Sequence, residues 1–570
     1  MRNLRWQILI AVGGLLLVIG LLIGQSPGDV SPSAQPQPGG VYTEALVGQV
    51  QRLNPLLDWY NQPDQDIDRL IYSGLVRFDA RGVPVPDLAT WTVTADATIY
   101  TFTIKENAEW HDGTPVTVDD IIFTFSKITD EDFPGPADLA EFWAQIEIIP
   151  LDDHNVQFIL PEPFAPFLDY VSVPLLPDHL LRGVSAGAMI DHPFNLDPIG
   201  SGPFRFDQFI VSEGEITGVS LVSNPDFYDD PPFLDRVEFV LFPSSEAAYQ
   251  AYTEGEVTGI SRVDTDTLEA VLADPGLNLH SARVPRVEMV FINTQNQEKQ
   301  YLSDKLFRQA LLYAINRQYI IDMVEGGQGL MPSGPLMPGS WAHSQDIPLI
   351  EFDPDESERI LTDLGWEPPA GAQPGTPDYI RTQEDVTLSL ELIYPDDALH
   401  GQIAIMLQRN WQAVGIAVTL TPVDPAAMLS DFLQPRTYEV ALTTFNLSHF
   451  PDPDPYPFWH DSQAETGQNY SAFQDRNTSI WLEQARIVPD IGRRTELYRS
   501  FQARFLDQVP AIFLYYHVYN FAIDAEYQGV TIGPMFDPSD RFNTIRQWYL
   551  IERIGLQPAE EQDQEQTTTE

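Results

Sequence analysis

Residues 100–127 constrain the fold most, because a strand, a tight turn and a capped helix follow one another there without a gap. Apolar side chains alternate with polar ones from Tyr100 to Ile104, which is the period of a half-buried strand. A cluster of turn-forming residues follows, and Thr117 then begins a predicted helix. Asp120 stands three residues later, where it can return the cap. The stretch therefore predicts a strand followed directly by an amphipathic helix.

The turn within this stretch contains Trp110, His111, Asp112 and Gly113. A histidine beside an aspartate is typical of general-base catalysis, but that chemistry also needs a nucleophile close by. The sequence places none next to this pair. We therefore interpret His111 and Asp112 as side chains that stabilise the turn, while Trp110 packs into a core.

Composition limits the possible functions. The chain has 570 residues, 43% of them hydrophobic and 11% aromatic, which suits three or four structural units with real cores. A formal net charge of −52 with only four lysines repels nucleic acids and anionic lipid, so we expect neither as a partner. The absence of cysteine excludes disulfides, thiolate metal sites, a cysteine nucleophile and a lipid on an N-terminal cysteine.

The N-terminal residues indicate export. Arg2 and Arg5 precede an uninterrupted run of apolar residues and glycines over 8–24, which is typical of a signal segment or membrane anchor. Positive charge before the run places the rest of the chain outside the cytoplasm. We predict an uncleaved membrane anchor or signal segment over 1–25, with cleavage as the alternative, and a Pro/Ser-rich linker over 26–40.

Four motifs occur in one order along the chain. They are Leu53-Asn54-Pro55 followed by Tyr72-Ser73-Gly74-Leu75, the 110–121 turn and helix, the Pro198–Phe204 glycine turn, and the Asp304–Arg317 helix. This order resembles the large extracytoplasmic solute-binding proteins of ABC importers, family 5, the dipeptide, oligopeptide and nickel group. The resemblance extends from about residue 41 to about residue 553. On the Asp304–Arg317 helix we expect Leu306, Ala310, Tyr313 and Ala314 to form the core face.

The resemblance implies an α/β, two-lobe periplasmic-binding-protein-like fold of the large type. Lobe one is expected over 41–283, with an extra β-rich subdomain at about 76–189. Lobe two is expected over 284–510, where alternation from Val386 to Leu392 predicts a strand. Residues 511–554 would return to lobe one, and 555–570 would form a disordered acidic tail.

The loop that contacts ligand in this family carries the departure specific to this chain. Members of the family have an aspartate there that pairs with the ammonium group of a bound peptide. Alignment by Asp452-Pro453 places Asn446 where tryptophan is usual and His449 at the aspartate position. Imidazole cannot replace a carboxylate as a counter-ion, which argues against ordinary peptides. Asp454 could take over the role if the loop shifts, although the Pro-Asp-Pro-Asp-Pro run favours a rigid turn.

The predicted function is capture of a peptide-like or other small polar solute between two lobes for an ABC permease. The protein is expected to be an extracytoplasmic monomer without a cofactor, a metal or a catalytic residue, bound to the membrane through its N-terminal segment. The residues predicted to line the ligand site are Glu44, Asn54, Tyr60, Tyr72, Trp341, Phe445, Asn446, His449 and Tyr516.

Two other classes of protein stay open. Residues 183–187 match G-x-S-x-G, so a membrane-anchored hydrolase could use Ser185 with His111 or His179. That motif requires a buried strand before the serine, whereas the preceding residues favour a helix. An exported peptide-binding receptor or chaperone without a transport role is the other class.

Overall fold

The computed structural model describes residues 34–376, 378–447, 450–551 and 554–556. A ten-stranded mixed sheet forms its centre. In spatial order the strands are Ala417–Val423, Ser389–Pro395, Val440–Asn446, Leu277–Ile292, Ala511–Asp524, Gly259–Ile260, Val41–Val47, Arg236–Phe242, Glu215–Ser223 and Phe204–Ser212.

Two long strands, Leu277–Ile292 and Ala511–Asp524, lie side by side in the middle of this sheet and pair antiparallel. A register shift interrupts their pairing between Arg283 and Val287. Leu277 of the first strand and residues 521–523 of the second pack in the apolar clusters of the first lobe. Residues 287–292 of the first strand and 511–516 of the second pack in those of the second lobe. The strand pair therefore connects two lobes. The expected boundaries at 283 and 510 stay a prediction, although 283 lies within one long strand and 511 begins the other.

A separate four-stranded antiparallel sheet lies within the expected subdomain. Its order is Ala89–Val93, Ile99–Ile104, Asn155–Ile159 and Glu147–Pro150. Four two-stranded pairs complete the strands of the described residues: Ala34–Pro36 with Ile554–Leu556, Val76–Phe78 with Pro84–Pro86, Thr382–Gln383 with Val386–Thr387, and Tyr527–Gln528 with Tyr549–Leu550.

The α-helices within the described ranges are Gln62–Ile71, Val118–Ile128, Ala137–Trp143, Phe167–Tyr170, Asp178–Leu181, Ala186–Met189, Ser245–Glu254, Thr265–Ala273, Lys305–Tyr313, Arg317–Val324, Pro354–Asp363, Ala398–Ala413, Pro425–Ala427, Tyr456–Trp459, Arg476–Ile487 and Ile491–Gln508. A π-helical turn spans Met428–Leu433, and 3₁₀ turns span Pro193–Leu196, Gln300–Ser303, Asp461–Gln463 and Pro538–Gln547. None of these helices has the length and apolarity to cross a membrane. The predicted anchor, 1–25, lies outside the described residues.

The helix predicted from Thr117 forms, with Asp120 capping it as expected. The backbone N–H of Thr117 donates to Oδ2 of Asp120 at 2.8 Å. The turn before it is structural, as interpreted. The backbone N–H of Gly200 donates to Nδ1 of His111 at 3.2 Å, so Nε2 carries the proton and donates to the Gly202 carbonyl at 3.0 Å. Burial lowers the pKa of His111 to about 4, which keeps the ring neutral.

Three expectations were wrong in detail. Leu306 is 42% exposed, and the core face of its helix is formed by Phe307, Ala310 and Leu311, because the helix is rotated toward the following residue. Val386 does not continue the strand Ser389–Pro395 but pairs with Gln383 in a hairpin. The expected linker and tail each contain strand residues, since Ala34–Pro36 pairs with Ile554–Leu556 through backbone groups that need no apolar side chains.

Candidate solute-binding site

A cavity of about 550 Å³ lies where the two lobes meet. The first lobe contributes Val47, Gln62, Asp66, Ser261, Arg262, Asp264 and Thr265 to its wall. The second lobe and the long strands contribute Pro285, Arg286, Glu325, Gln328, Asn446 and His517. Its volume matches the clefts that bind small molecules, and its position between lobes is typical of ligand sites. We call it the interlobe cavity.

Charged side chains of both signs reach this cavity. Arg262 is held in the first lobe by Asp264, with Nε and Nη2 at 2.8 and 3.0 Å from the two carboxylate oxygens. Arg286 is exposed on the long strand opposite Asn446, and no ion pair of it is found among the described residues. An exposed guanidinium in a concave site can hold a carboxylate through two parallel hydrogen bonds. The cavity can therefore orient an anionic group of a solute.

A buried ion cluster supports the first-lobe wall of the interlobe cavity. Arg541 donates to Oε1 of Glu44 at 2.6 Å and to both oxygens of Asp66 at 2.8 Å. Tyr42 donates to Oε2 of Glu44 at 2.5 Å. Glu44, predicted as a ligand contact, is fully buried and engaged by these groups, so its carboxylate holds the C-terminal segment on the first lobe.

A chain of carboxylates and imidazoles supports the second-lobe wall. Nε2 of His517 lies 2.9 Å from Oε1 of the fully buried Glu288, and its Nδ1 lies 3.3 Å from Glu325. Nε2 of His400 lies 3.4 Å from the other Glu288 oxygen, and Thr444 donates to Oε1. Because His517 and Glu325 also line the interlobe cavity, this network reaches the cavity wall.

The predicted lining residues fall into different places. Asn446 lines the interlobe cavity, and its role as a ligand contact stays a prediction. Tyr60 is 81% exposed, and Tyr72 lines a smaller pocket of about 90 Å³ on the first lobe. The remaining described members lie in packed interiors rather than at the cavity: Asn54, Trp341, Phe445 and Tyr516. His449 lies outside the described residues.

Interior packing explains these positions. Asn54 donates to Asn195 at 3.1 Å, and its own side chain accepts from the backbone of Leu56. Trp341 packs on Tyr498 with the guanidinium of Arg494 over its ring at 4.9 Å. Aromatic residues serve cores and ligand sites equally well, so their type alone could not separate the two roles.

Both aspartates of the proline-rich loop are already paired. Asp454 forms a bidentate ion pair with Arg486, with oxygens 2.6–3.1 Å from Nη2 and Nε. Asp452 pairs with Arg494 at 2.5 Å. Both carboxylates therefore stabilise this turn, as its Pro-Asp-Pro-Asp-Pro sequence favours, and Arg486 already occupies the carboxylate of Asp454.

The hydrolase motif does not form a catalytic site in the described structure. Ser185 caps the short helix Ala186–Met189 by accepting from the backbone N–H of Ala188 at 3.3 Å. His179 pairs with Asp112 at 2.8 Å, and His111 bonds the glycine turn instead. A helix, Asp178–Leu181, precedes the serine where a nucleophile elbow needs a buried strand.

Sequence reasoning missed Arg286, His517, Glu325 and Phe536, which line the interlobe cavity. Arg286 follows Pro285 beside the register shift of the long strand, and that shift is visible only in the structure. Nothing in the sequence indicates that the other three, from distant segments, would meet there.

Comparison with known proteins decides the family. The model of bacterial extracellular solute-binding proteins, family 5 Middle, matches residues 83–468, more than half of the chain. The chain belongs to this family. The resemblance drawn from its motifs is confirmed, and the protein is an extracellular solute-binding protein.

Relatives cover nearly the whole solute-binding protein. It is 26% identical over 554 residues to the oligopeptide-binding protein AppA of Bacillus subtilis, covering 94% of this chain and 97% of AppA. It is 24% identical over 488 residues to the dipeptide-binding protein of Escherichia coli, covering 82% of this chain and 87% of the relative.

Solved structures confirm the two-lobe fold. HbpA2 from Haemophilus parasuis superposes with a TM-score of 0.77 at 20% identity, covering 90% of this chain and 100% of HbpA2. The murein tripeptide-binding protein MppA, in its unliganded open form, superposes with a TM-score of 0.75 at 20% identity, covering 91% of this chain and 99% of MppA.

Proposed function

We propose that the protein captures a small, peptide-like polar solute in the interlobe cavity and delivers it to the permease of an ABC importer. The observation that carries the proposal is the cavity of about 550 Å³ between two lobes of a family 5 fold. The named relatives bind oligopeptides and dipeptides, which supports this class of solute. The proposed contacts are Arg286, Asn446 and His517 from the second-lobe side and Arg262 from the first.

Closure of the lobes is the proposed signal to the permease. A ligand shifts the open and closed populations only through contacts that differ between the two forms. The cavity wall comes from both lobes, so a bound solute bridges them and favours closure. No step in this cycle requires catalysis, and we propose none.

Small-angle scattering tests this proposal. A solute selected from a peptide and amino-acid library by thermal shift should reduce the radius of gyration of the wild-type protein. Thr265→Trp should abolish both the thermal shift and the decrease in radius of gyration. Thr265 is exposed at the cavity wall, and an indole there fills the space. Leu272→Trp is the matched control, because Leu272 is 60% exposed on the same helix but does not line the cavity. Binding without compaction would contradict the closure mechanism.

We also propose that residues 1–25 hold the protein at the outer face of the cell membrane as an uncleaved anchor. Two arginines before an apolar run of this kind support it. Full-length protein should then need detergent for release from membranes. Soluble protein that begins near Gln35 would show cleavage and overturn the anchor.

A further inference from the structure

A second, smaller cavity of about 170 Å³ adjoins the interlobe cavity. Phe536 lines both cavities, so the two spaces are neighbours that share this aromatic side chain in their walls. The first lobe supplies most of the small cavity through the residues after Pro55 and the helix Gln62–Ile71. Phe450 and Pro451 of the proline-rich loop cover it from the second lobe. A group that enters this space would therefore touch both lobes.

The small cavity is acidic, and two of its four aspartates have their partners already. Asp540 pairs with Arg69 at 2.8 Å, and Arg69 is the one cationic side chain among the described residues that line this cavity. Asp537 accepts from the backbone of Ser539 at 2.8 Å and from Gln62 at 3.1 Å. Asp58 and Asp68 remain to supply negative charge.

Asp68 is the unusual group in this set. Its side chain is 1% exposed, and neither carboxylate oxygen accepts a hydrogen bond from any described residue. A buried polar group without a partner costs free energy, and a buried charge costs more. Asp64, one turn earlier on the same helix, shows the ordinary arrangement: its oxygens accept from the backbone N–H groups of Gln51 and Arg52 at 2.8 and 3.0 Å.

Electrostatics agree with this geometry. Burial raises the pKa of Asp68 well above its ordinary value, and the nearby carboxylates of Asp58 and Asp64 raise it further. The nearby backbone N–H of Asn54 lowers the pKa of Asp68, but by less than burial raises it. This N–H makes its hydrogen bond to the carbonyl of Arg52, at 3.1 Å, and not to Asp68. A raised pKa favours a neutral, protonated carboxyl when no cation is bound. A bound cation would favour the ionised carboxylate, so binding would release a proton.

The walls of the small cavity are suited to a cation as well. Trp59, Phe78, Phe450 and Phe536 line it. Aromatic faces attract ammonium groups through their negative quadrupole, and the attraction is stronger where water is excluded. Two carboxylate oxygens without hydrogen-bond donors call for a cation that carries N–H groups, which a primary ammonium supplies and a quaternary one does not.

We propose that this small cavity binds the primary ammonium group of the captured solute, with Asp68 as its counter-ion. The proposal rests on the proposed function, and it names the chemical class of solute: an organic primary amine. Family resemblance places ammonium recognition in the second lobe at position 449, where this chain has histidine. Here the carboxylate comes instead from the first-lobe helix, and the second lobe contributes the aromatic cover.

The test uses butylammonium chloride as probe, with butanol and tetramethylammonium chloride as matched comparisons. Calorimetry on the wild-type protein should show that butylammonium binds more tightly than either. Asp68→Asn should weaken butylammonium binding at least about tenfold, the scale of one lost charge-assisted hydrogen bond. Binding should release protons in the wild type, and affinity should rise with pH, because only the ionised carboxylate pairs with the cation.

Stability separates a binding role of Asp68 from a structural one. Asp68→Asn should raise the melting temperature, since it removes a carboxylate with no partner. Asp64→Asn, the same change on the same helix, should lower the melting temperature and change butylammonium affinity far less than Asp68→Asn does, because that carboxylate serves two backbone donors and does not line the small cavity.

Equal binding of butylammonium and butanol, or butylammonium binding that survives Asp68→Asn, would overturn the proposal. Either result leaves solute capture intact if a library solute still compacts the protein in solution. Failure of every solute to compact the protein, together with Asp68-dependent butylammonium binding, would overturn closure and leave the ammonium site standing.

Discussion

The Nη1 atom of Arg494 lies 2.5 Å from Oδ2 of Asp452, and both side chains are at least nine-tenths buried. The pair joins the helix Ile491–Gln508 to the proline-rich loop whose Phe450 and Pro451 cover the small acidic cavity. Asp452 also donates its backbone N–H to Asp169 of the first lobe at 2.7 Å. The loop is therefore held from both lobes at the edge of the small acidic cavity.

Arg494→Met should destabilise the protein strongly, because it leaves the Asp452 carboxylate buried without its cation. Breaking a buried pair in this way costs about 3–5 kcal/mol. Chemical denaturation followed by tryptophan fluorescence measures the change. Arg493→Met is the matched control, since Arg493 pairs with Glu496 on the exposed face of the same helix and should change stability by less than about 1 kcal/mol. Similar losses for both variants would contradict the prediction.

Glu288 should make stability depend on pH. Burial opposes ionisation of Glu288, but hydrogen bonds from His400 and His517 outweigh it and lower the pKa to about 2, against an ordinary 4.5. A lowered folded-state pKa gives a stabilisation that is complete above pH 4.5 and is lost as the pH falls toward 2.

The pKa values of His400 and His517 shift in the opposite direction to that of Glu288. Burial alone would lower their pKa values, but the Glu288 carboxylate raises both above the ordinary 6.5. Their stabilisation is complete below pH 6.5 and falls as the pH rises through the raised values. The network should therefore stabilise the protein most between pH 4.5 and 6.5.

Glu288→Gln should cost on the order of 3 kcal/mol in that window and less at either side of it. Urea denaturation at a series of pH values measures the difference from wild type. Glu391→Gln, on the exposed face of a nearby strand, is the control and should stay within about 0.5 kcal/mol at every pH. A pH-independent difference for Glu288→Gln would refute the network.

Sequence patterns predicted correctly those elements that are stabilised by contacts between residues close together in the chain. The Thr117 cap and the His111 turn each depend on residues close in sequence or on a glycine turn that the sequence marks clearly. Glu44 could not be placed in this way: whether its carboxylate faces a ligand or an ion pair depends on Arg541, from the far end of the chain.

The same limit applies to the ligand site. Asn446 was predicted through the alignment of its loop with the family pattern, and it lines the interlobe cavity. Asp68 gave no signal, because a helix rich in aspartate normally indicates a solvated surface. Only the packing of Pro55, Phe536 and the second-lobe loop around that helix turns one aspartate into a buried group without a partner.

Ser185→Ala should leave solute binding unchanged, since Ser185 only caps a four-residue helix on the first lobe. We expect a loss of stability of about 1 kcal/mol, the usual effect of removing a cap. Calorimetry with a library solute and an esterase assay on both proteins check this. A hydrolytic activity of the wild type that disappears in Ser185→Ala would establish the hydrolase class instead.

The last prediction concerns peptides. Since Asp452 and Asp454 are paired with arginines, neither is available to a peptide ammonium group in the second lobe. By the alignment of this loop, His449→Asp should supply a carboxylate where the family pattern has aspartate. It should strengthen binding of di- and tripeptides by about 1.5–3 kcal/mol, the free energy of a hydrogen bond to a charged group.

Combined with Asp68→Asn, the His449→Asp change should move ammonium recognition from the first lobe to the second and restore the binding that Asp68→Asn removes. Calorimetry with a tripeptide and its N-acetylated form measures this directly, because acetylation removes the positive charge. If both forms bind alike to wild type and to the double variant, the counter-ion lies at neither position.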